Sequence, residues 1–336
     1  MKKINQVYQK IGVIGGGAWG TALAQRLALA GRDTLLWAYE DQCVSNINKK
    51  KENSQYLPGI NLHDNIVATS NIQDLGDMDA IFSVAPAQHT RNILEEFSPF
   101  IRVGLPIVLC SKGVEISSHS FMSQVLNQIL PKSVAAVLSG PSFAIDVARG
   151  LPTAVTLACE NQVIGQKLVE AIGAPTFRPY LTEDLIGTEV GGAVKNVLAI
   201  ACGIVIGKGL GKSAHAAVIA RGYAEMTRFG IALGCKPETL RGLCGLGDLV
   251  LTCSSEQSRN MSCGLSLGKG MTLKEIISSR SSVTEGVATA PVLEAMAKKL
   301  KIDMPICTAM SHILSGKIGV DEAIKQLLSR EITTEI

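Results

Sequence analysis

The feature that most constrains the fold is a glycine-rich turn near the start of the chain. A run of six residues, Gly-Gly-Gly-Ala-Trp-Gly, starts at Gly15 and fits the pattern G-x-G-x-x-G. It follows an aliphatic run typical of a strand, Lys10–Ile14, and precedes an Ala- and Leu-rich run typical of a helix, Thr21–Ala30. In this setting Gly15 permits a tight turn, Gly17 lets the backbone approach a diphosphate, and Gly20 allows the helix to pack closely on the strand. The sequence therefore predicts a strand–turn–helix unit that binds a dinucleotide at the helix N-terminus.

The first half of the chain alternates strand-like and helix-like segments. Such alternation predicts parallel β-α-β units, because a long crossover is needed before the next strand can run parallel to the previous one. We expect strands at Lys10–Ile14, Thr34–Trp37, Ala80–Val84, Ile107–Leu109, Val134–Leu138 and Pro175–Leu181.

Strand-like segments disappear after about residue 181, and helical patterns replace them. The expected helices are Leu185–Ile206, Ala214–Leu233, Thr272–Ser279, Ala288–Leu300, Thr308–Ser315 and Val320–Ser329. The predicted fold class is α/β, with an N-terminal Rossmann-type domain built on a mostly parallel sheet, followed by an all-helical C-terminal domain. Since 336 residues exceed what one hydrophobic core usually serves, we expect a dinucleotide-binding domain over residues 1–182 and a helical substrate-binding and catalytic domain over residues 183–336.

Composition argues against several other classes of protein. The 32 basic and 29 acidic residues give a net charge of +3, and the basic residues are scattered apart from Lys49–Lys51, so we expect no nucleic-acid partner. Nine cysteines include no C-x-x-C pair, which predicts reduced thiols, no bound metal and a cytoplasmic location. The run Ile11–Ile14 is too short for the apolar core of a secretory signal.

Lys195 is the only charged residue in the apolar run Val190–Ile206. The run is short for a membrane span and carries a charge, so we expect a buried helix and no stable membrane insertion. Burial is costly for an ammonium and would lower its pKa, unless nearby carboxylates oppose the shift. Gly191 and Gly192 weaken a helix by about 1 kcal/mol each, which indicates close approach of a ligand or another backbone. We therefore predict that Lys195 is a catalytic acid or base, the alternative being a lysine that snorkels or forms a structural salt bridge.

Two later segments carry polar groups suited to a phosphorylated substrate. Asp248 and Thr252 lie in an apolar, glycine-flanked stretch, and Ser258-Arg259-Asn260 follows. A guanidinium binds phosphate oxygens bidentately, and each such charge-assisted hydrogen bond contributes about 1.5–3 kcal/mol. The structural alternative is a surface turn in which Asp248 or Ser258 caps a helix.

In the first half, Ser111-Lys112-Gly113 and Ser139-Gly-Pro-Ser-Phe-Ala144 each follow a predicted strand. The carboxyl ends of parallel strands form the edge at which open α/β sheets bind ligands. We expect both segments at the binding site, although turn formation alone would also explain their glycines and proline.

The second predicted strand ends at Tyr39-Glu40-Asp41. An acidic side chain there would bond ribose hydroxyls and repel a 2′-phosphate, which favours NAD over NADP. Glu40 lies 25 residues after Gly15, farther than the usual spacing of about 20, so both cofactors stay open.

Together these segments resemble the NAD(P)-dependent glycerol-3-phosphate dehydrogenases of the bacterial type, from about residue 10 to residue 330. The resembling segments are Gly-Gly-Gly-Ala-Trp-Gly-Thr-Ala at 15–22, Ser-Lys-Gly at 111–113, Ser-Gly-Pro-Ser-Phe-Ala at 139–144, Gly-Gly-Ala-Val-Lys-Asn-Val at 191–197, Gly-Leu-Gly-Asp-Leu at 245–249 and Ser-Arg-Asn at 258–260. Ala18 stands where many relatives have Ser, and Tyr39-Glu40 stands where some have a basic residue.

The resemblance implies reversible reduction of dihydroxyacetone phosphate to sn-glycerol 3-phosphate with NADH or NADPH, supplying phospholipid synthesis, and Lys195 as the proton donor and acceptor. It implies substrate contacts from Lys112, Gly140, Ser142, Lys195, Asp248, Ser258, Arg259 and Asn260. Besides the glycine turn, it implies cofactor contacts from Ala18, Trp19, Tyr39, Lys112, Ala144, Arg259, Val283 and Glu285. It also implies a cytoplasmic homodimer.

Two other functions remain open from the sequence. One is a related two-domain dehydrogenase for a different small acid, such as 6-phosphogluconate or a 3-hydroxyacyl thioester, against which the segments at 245–249 and 258–260 argue. The other is a catalytically silent module that senses NAD(H), which would need no buried lysine.

Overall fold

The computed structural model describes residues 7–279 and 284–331, and in them eight strands precede a long helical region. The strands are β1 (Lys10–Ile14), β2 (Asp33–Trp37), β3 (Ile66–Thr69), β4 (Ala80–Ser83), β5 (Pro106–Leu109), β6 (Val134–Ser139), β7 (Thr153–Ala158) and β8 (Phe177–Thr182). The helices between them are α1 (Ala18–Leu29), α2 (Asp41–Lys50), α3 (Ala87–Phe97), α4 (Met122–Ile129), α5 (Ala144–Ala148) and α6 (Gln162–Ile172). The later helices are α7 (Leu185–Gly207), α8 (Gly211–Ala232), α9 (Pro237–Arg241), α10 (Asp248–Ser254), α11 (Arg259–Gly268), α12 (Leu273–Ser278), α13 (Glu285–Leu300), α14 (Pro305–Leu314) and α15 (Val320–Leu328).

All eight strands form one sheet in the order β3-β2-β1-β4-β5-β6-β7-β8. Every neighbouring pair is parallel except β6 and β7, which run antiparallel. The first six strands follow the order of a Rossmann sheet, which reverses between β1 and β4. The predicted fold class is therefore confirmed, and β1, β4, β5 and β6 bring their carboxyl ends to the same edge.

Two strands, β3 and β7, were missed by the sequence analysis. β3 is only four residues long and alternates buried and exposed positions at the edge of the sheet. β7 reads Thr-Ala-Val-Thr-Leu-Ala, in which the two alanines weaken a strand pattern that the threonines and valine favour. In both cases pairing with a neighbouring strand supplies what the local sequence does not.

Side chains fill both faces of the sheet. Val108 of β5 packs in a core cluster with α1, whereas Ile107 and Leu109 pack in a second cluster with α3 and α4. Successive side chains of β5 therefore enter two different cores, and neither face of the strand is exposed to solvent. A parallel sheet covered by helices on both faces has this pattern.

The helical region is built around α7, whose residues are almost all buried. A Cβ on Gly203 would lie 2.0 Å from the carbonyl oxygen of Met261, and one on Gly264 would lie 1.9 Å from that of Ile200. These glycines let α7 and α11 touch backbone to backbone, which fixes α11 against the C-terminal half of α7. By length and composition α7 could cross a membrane, but 89% of its most apolar 18-residue stretch is buried inside the protein. It is therefore the core helix that the sequence predicts.

Several predicted helix bounds were wrong. α13 begins at Glu285 and α14 at Pro305, each three residues before the expected start. α1 begins at Ala18, within the glycine turn and three residues before the expected Thr21. The helices α9, α10 and α11 were not predicted. Two of them, α9 and α10, span only five and seven residues. The starts of α10 and α11 were interpreted as ligand-binding segments or surface turns.

α7 also docks on the strand-containing half of the chain. The carboxylate of Glu189 accepts hydrogen bonds from the backbone N of Ser123 at 2.8 Å and from its Oγ at 2.5 Å, at the start of α4. Lys195 lies six positions after Glu189 on the same helix, so this contact helps to set where Lys195 lies against the sheet.

Candidate active site

The glycine turn between β1 and α1 has the geometry that its sequence predicts. Gly15 has a φ of +120°, a backbone conformation that residues other than glycine rarely adopt. A Cβ on Gly20 would lie 1.8 Å from the carbonyl oxygen of Gly15, so only glycine fits there. At Gly17 a Cβ would meet nothing within 4 Å, which leaves this side of the backbone open to a ligand. The turn can therefore present the first amides of α1 to a diphosphate.

Side chains from elsewhere hold this turn in place. Asn53 is 1% exposed and donates from Nδ2 to the Gly16 carbonyl and to Thr21 Oγ1, both at 2.7 Å. Trp19 lies in the first turn of α1 beside Ala18, and its Nε1 is buried without a hydrogen-bond partner among the described residues. The open backbone at Gly17 and the unpaired donor of Trp19 are compatible with a polar ligand such as a dinucleotide at this turn.

Tyr39 and Glu40 follow the carboxyl end of β2. The Tyr39 side chain is 83% exposed. Glu40 Oε1 accepts a hydrogen bond from the Tyr56 hydroxyl at 2.8 Å. β1 and β4 separate β2 from β5, so with about 4.8 Å between strands the ends of β2 and β5 lie about 14 Å apart. This edge of the sheet therefore suits an elongated ligand.

Four polar side chains meet at the other end of that edge and form what we call the lysine–aspartate centre: Lys112, Lys195, Asp248 and Thr252. Lys195 donates from Nζ to Asp248 Oδ1 at 2.6 Å and to Thr252 Oγ1 at 2.8 Å. Lys112, which follows β5, donates from Nζ to Asp248 Oδ2 at 2.8 Å. Two ammonium groups thus share one carboxylate. The excess positive charge makes the centre suitable for an anionic ligand.

The two glycines before Lys195 explain how the centre comes together. A Cβ on Gly191 would lie 2.4 Å from the Cys244 carbonyl oxygen, in the π-helical turn Leu243–Gly247 that precedes Asp248. A Cβ on Gly192 would lie 3.3 Å from Cγ of Lys112. The predicted close approach of another backbone is therefore confirmed at Gly191, whereas the nearest atoms at Gly192 belong to the side chains of Ser139 and Lys112.

Burial and charge shift the pKa values of the centre in ways that matter for proton transfer. Burial lowers the pKa of Lys195 to about 8, and the charge of Lys112 acts in the same direction while Asp248 opposes it. Burial raises the pKa of Asp248, but Lys112 and Lys195 outweigh it, so that this pKa lies below its usual value. Near neutral pH the Asp248 carboxylate is therefore charged. The pKa of Lys195 lies close enough to neutral pH for its Nζ both to donate and to accept a proton.

The segment after β6 closes one side of the centre. Gly140 has a φ of +146°, and its carbonyl oxygen accepts hydrogen bonds from Lys112 Nζ at 3.2 Å and from Ser142 Oγ at 2.9 Å. Ala144 begins α5 two residues later. Gly140 and Ser142 therefore lie beside Lys112, as the sequence analysis expected of residues at the carboxyl end of a strand.

A chain of amide hydrogen bonds joins the centre to α11 and α13. Asn196 donates from Nδ2 to the Lys112 carbonyl at 2.9 Å, and its Oδ1 accepts from Asn260 Nδ2 at 2.9 Å. Asn260 Oδ1 in turn accepts from the backbone N of Gly286 at 2.9 Å. Sequence reasoning missed Asn196, although it is the one other polar residue in the apolar run around Lys195.

Ser258 and Arg259 stand at the start of α11. Ser258 Oγ accepts from the Met261 backbone N at 3.2 Å, so the structural alternative of a helix cap is correct for Ser258. Asp248 is no cap, because Gly247 occupies that position and the Asp248 carboxylate binds the two lysines. Arg259 is the first residue of α11 and directly precedes Asn260, which belongs to the chain of amide hydrogen bonds.

Glu285, the first residue of α13, crosses to the strand-containing half of the chain. Its Oε1 accepts from the Ala87 backbone N at 3.3 Å, and a Cβ on Gly113 would lie 2.6 Å from its Oε2. Burial raises the pKa of Glu285 to about 7, although the Ala87 amide and the charge of Arg259 oppose the shift. Val283, named in the sequence analysis, lies outside the described residues.

Most of the residues expected at the site are thus brought together along one edge of the sheet. Tyr39 stands apart from the lysine–aspartate centre, at the end of β2. Asn53 and Tyr56 were not anticipated, because they act through contacts with residues far from them in the sequence. In residues 7–279 and 284–331, no group of three or more His, Cys, Asp or Glu side chains is arranged to hold a metal ion.

Comparisons with known families place the chain among dehydrogenases. A family profile described as NAD-dependent glycerol-3-phosphate dehydrogenase N-terminus matches residues 10–164, and the corresponding C-terminus profile matches residues 184–325. The two profiles together cover almost the whole chain.

Similar full-length proteins bear related names. The chain is 62% identical over 328 residues to a glycerol-3-phosphate dehydrogenase [NAD(P)+] of Maricaulis maris, covering 98% of each chain. It is 59% identical over 332 residues to one of Hyphomonas neptunium, covering 99% of each. The crystal structure of glycerol-3-phosphate dehydrogenase from Coxiella burnetii superposes with a TM-score of 0.92 at 38% identity, covering 96% of this chain and 99% of that one.

Proposed function

The chain belongs to the NAD-dependent glycerol-3-phosphate dehydrogenase family, and from that membership we propose its reaction and the roles of its residues. It is an oxidoreductase that uses NAD or NADP, and it reversibly reduces dihydroxyacetone phosphate to sn-glycerol 3-phosphate. The observation that carries this proposal is the buried Lys195, paired with Asp248 at the same sheet edge as the dinucleotide turn.

The reaction needs a proton as well as a hydride. When NADH or NADPH is bound, its nicotinamide would supply the hydride for the carbonyl carbon. Lys195 donates a proton from Nζ to the carbonyl oxygen as negative charge develops there. In the oxidation the same Nζ, unprotonated, takes the hydroxyl proton. A pKa of about 8 keeps both forms within reach of neutral pH.

Asp248 and Thr252 keep the Lys195 ammonium oriented. Asp248 holds Lys195 with one oxygen and Lys112 with the other, and Thr252 Oγ1 accepts a further hydrogen bond from Lys195 Nζ. Because Asp248 is buried and carries both lysines, it fixes where Lys195 Nζ can give up its proton. The net positive charge of the group stabilises an oxyanion and attracts a phosphorylated substrate.

The remaining substrate contacts are assigned to the edge of this centre. We assign the substrate phosphate to Arg259 and Asn260. The hydrogen bonds of Asn260 to Asn196 and Gly286, which fix it beside α7, support this assignment. The other residues that we propose to contact substrate are Lys112, Gly140, Ser142, Lys195, Asp248 and Ser258.

We propose that the cofactor would lie along the sheet edge from the end of β2 to the end of β5. The glycine turn, with Gly15, Gly17 and Gly20, binds the diphosphate, which its geometry supports. The other residues that we propose to contact cofactor are Ala18, Trp19, Tyr39, Lys112, Ala144, Arg259, Val283 and Glu285.

Further proposals concern the protein as a whole. We propose that residues 1–182 form the dinucleotide-binding domain and residues 183–336 the substrate-binding and catalytic domain, consistent with β8 ending at Thr182 and α7 beginning at Leu185. We also propose that the protein works as a homodimer in the cytoplasm and that its product enters phospholipid synthesis.

A direct assay tests the reaction. Purified protein is mixed with dihydroxyacetone phosphate and NADH or NADPH, and the loss of reduced-nicotinamide absorbance is followed. We expect rapid loss with at least one cofactor and none without the ketone. If folded protein that binds a reduced cofactor consumes none of it, the proposed reaction is wrong. Turnover of 6-phosphogluconate or a 3-hydroxyacyl thioester with oxidised cofactor would then support a related dehydrogenase, and no turnover of either would support an NAD(H) sensor.

A further inference from the structure

β3 is an edge strand, and its backbone groups point alternately towards β2 and away from the sheet. The backbone N of Thr34 donates to the Asn65 carbonyl at 3.2 Å, in a parallel register that pairs Thr34 with Ile66. Because successive strand residues turn their backbone groups in opposite directions, every second residue from Asn65 onward bonds to β2. The N–H and C=O groups of Ile66 and Ala68 therefore point away from the sheet.

The side chain of Asn48, near the end of α2, binds Ala68 as a neighbouring strand would. Its Nδ2 donates to the Ala68 carbonyl at 2.9 Å, and its Oδ1 accepts from the Ala68 backbone N at 2.8 Å. Opposed residues of two antiparallel strands exchange the same pair of hydrogen bonds. One side-chain amide therefore occupies both outward-facing backbone groups of Ala68.

The outward-facing groups of Ile66 also have partners. Lys51, directly after α2, donates from Nζ to the Ile66 carbonyl at 3.2 Å and to the Asp64 carbonyl at 3.3 Å. The backbone N of Ile66 donates to the His63 carbonyl at 3.1 Å. The N–H and C=O groups of both Ile66 and Ala68 are therefore hydrogen-bonded within the chain, and an ammonium group lies against this edge.

The opposite edge of the sheet, β8, is closed by the backbone itself. The backbone N of Phe177 donates to the Ala174 carbonyl at 3.0 Å, and the backbone N of Ala174 donates to the Phe177 carbonyl at 2.8 Å. Two positions later, Pro179 has no N–H with which to bind a further strand. β3 contains no proline, and side chains from the end of α2 cover it instead.

The sequence of β3 favours association wherever its edge is open. Residues 65–71 read Asn-Ile-Val-Ala-Thr-Ser-Asn and contain no charge, proline or glycine. Short segments of this kind with several β-branched residues pair readily with identical segments. The Val67 side chain is 53% exposed, so an apolar group accompanies the outward-facing backbone. An open β3 edge therefore fits the β3 edge of a second copy of this chain.

We propose that the edge of β3 is a self-association surface of this chain, and that Asn48 and Lys51 keep it closed. Soluble proteins stop edge strands from pairing with charged side chains, especially lysine, or by covering the edge, and these two residues do both. The pairing that they prevent is isologous, with two antiparallel β3 strands joining two sheets across a two-fold axis. The inference does not depend on the proposed reaction. It implies that the proposed homodimer forms without joining its two sheets.

The test measures molecular mass across a range of protein concentrations, by size-exclusion chromatography with light scattering. Asn48→Ala frees the backbone groups of Ala68, and the double variant Asn48→Ala/Lys51→Ala also frees the Ile66 carbonyl. The mass of the unaltered protein should stay that of its native oligomer. The mass of the double variant should rise about twofold or more with concentration, because each open edge joins a second one. Circular dichroism and the melting temperature show whether each variant is folded.

A third substitution identifies the surface that associates. When Ile66 of one copy lies opposite Ala68 of the other, the two Val67 side chains are direct neighbours. Val67→Lys therefore brings two like charges together, and adding it to the double variant should restore the native mass. Asn46→Ala and Lys49→Ala are matched controls on α2 and should leave the mass unchanged, since Asn46 donates to Ser54 Oγ and Lys49 is exposed.

Two results would overturn the inference. A folded double variant that keeps the native mass at every concentration would show that an open β3 edge does not associate. Association that Val67→Lys leaves unchanged would place the contact elsewhere on the molecule. If the double variant does not fold, Asn48→Ala alone is measured in its place; a smaller rise in mass is then expected, and no rise would equally contradict the inference.

Discussion

The dinucleotide turn and the lysine–aspartate centre lie on the same sheet edge but are specified in different ways. The turn is made by six consecutive residues, and its requirements are steric, because a Cβ on Gly20 would lie 1.8 Å from the Gly15 carbonyl oxygen. The centre draws Lys112, Lys195 and Asp248 from three separate parts of the chain, and its requirements are electrostatic. The first depends on the absence of side chains, and the second on two buried or partly buried cations sharing one anion.

This difference predicts that binding of the cofactor and chemistry on the substrate can be damaged separately. A change in the turn alters backbone shape and therefore cofactor affinity. A change in the centre alters proton transfer and substrate charge stabilisation, with the cofactor turn untouched. Each variant below disturbs one region, and both cofactor binding and catalysis are measured for it.

The largest effect is expected from Lys195→Ala. Loss of a positioned proton donor should lower kcat for dihydroxyacetone phosphate reduction by about 10²- to 10⁴-fold. Asp248 keeps Lys112 as a partner, so the fold should persist, and the dissociation constant of the reduced cofactor should stay within about threefold of the original. Steady-state kinetics and calorimetric titration measure the two quantities. Lys208→Ala, at the end of the same helix and paired with Asp321, is the matched control. A near-normal rate in Lys195→Ala would show that another group donates the proton.

Arg259→Ala should have the next largest effect, on substrate affinity. A charge-assisted hydrogen bond is worth about 1.5–3 kcal/mol, so the KM for dihydroxyacetone phosphate should rise by about 10- to 100-fold. Initial rates over a range of substrate concentrations measure it, and Arg228→Ala, on the surface of α8, serves as the control. An unchanged KM would rule out Arg259 as the phosphate anchor.

Gly20→Ala disturbs the turn in place of the centre. The added Cβ meets the Gly15 carbonyl oxygen, and relieving such a clash costs about 1–3 kcal/mol, so cofactor affinity should fall by about tenfold or more. The pH dependence set by Lys195 should not move. Gly319→Ala adds a Cβ where nothing lies within 4 Å and should leave cofactor binding unchanged. If Gly20→Ala shifted the pH dependence instead of the affinity, the two regions would not be separable.

The glycine turn and the lysine–aspartate centre also differ in how much of each could be predicted from the sequence. The turn, β1 and the presence of a helix directly behind them could be predicted, because spacing and residue type within some twenty residues determine them. The first residue of α1 could not, since the helix begins at Ala18 and not at Thr21. Lys195 could be predicted because a charge in an apolar run demands a reason. Its pairing with Asp248 could not be derived, since the two residues are 53 positions apart and only the folded chain brings them together.

Residues that act through others were hardest to anticipate. Asn196 carries the amide hydrogen bonds between Lys112 and Asn260, yet one asparagine in a helix gives no periodic signal. Tyr56 and Asn53 lie in a short irregular segment after α2, and their partners lie 16 and 37 positions away. β7 was missed because a strand that reverses direction after a parallel series has no signature beyond its pairing with β6.

The central claim is that one buried lysine with a lowered pKa moves the proton in both directions. The most direct test is the pH dependence of kcat/KM for ketone reduction and for glycerol 3-phosphate oxidation, measured on the same protein from pH 6 to 10. Reduction needs protonated Lys195, so it should fall as the pH rises through about 8, while oxidation, which needs the unprotonated form, should rise through the same midpoint. Two mirror-image profiles that cross near pH 8 are the predicted result. Profiles that change in the same direction, or that stay flat between pH 7 and 9, would contradict the account.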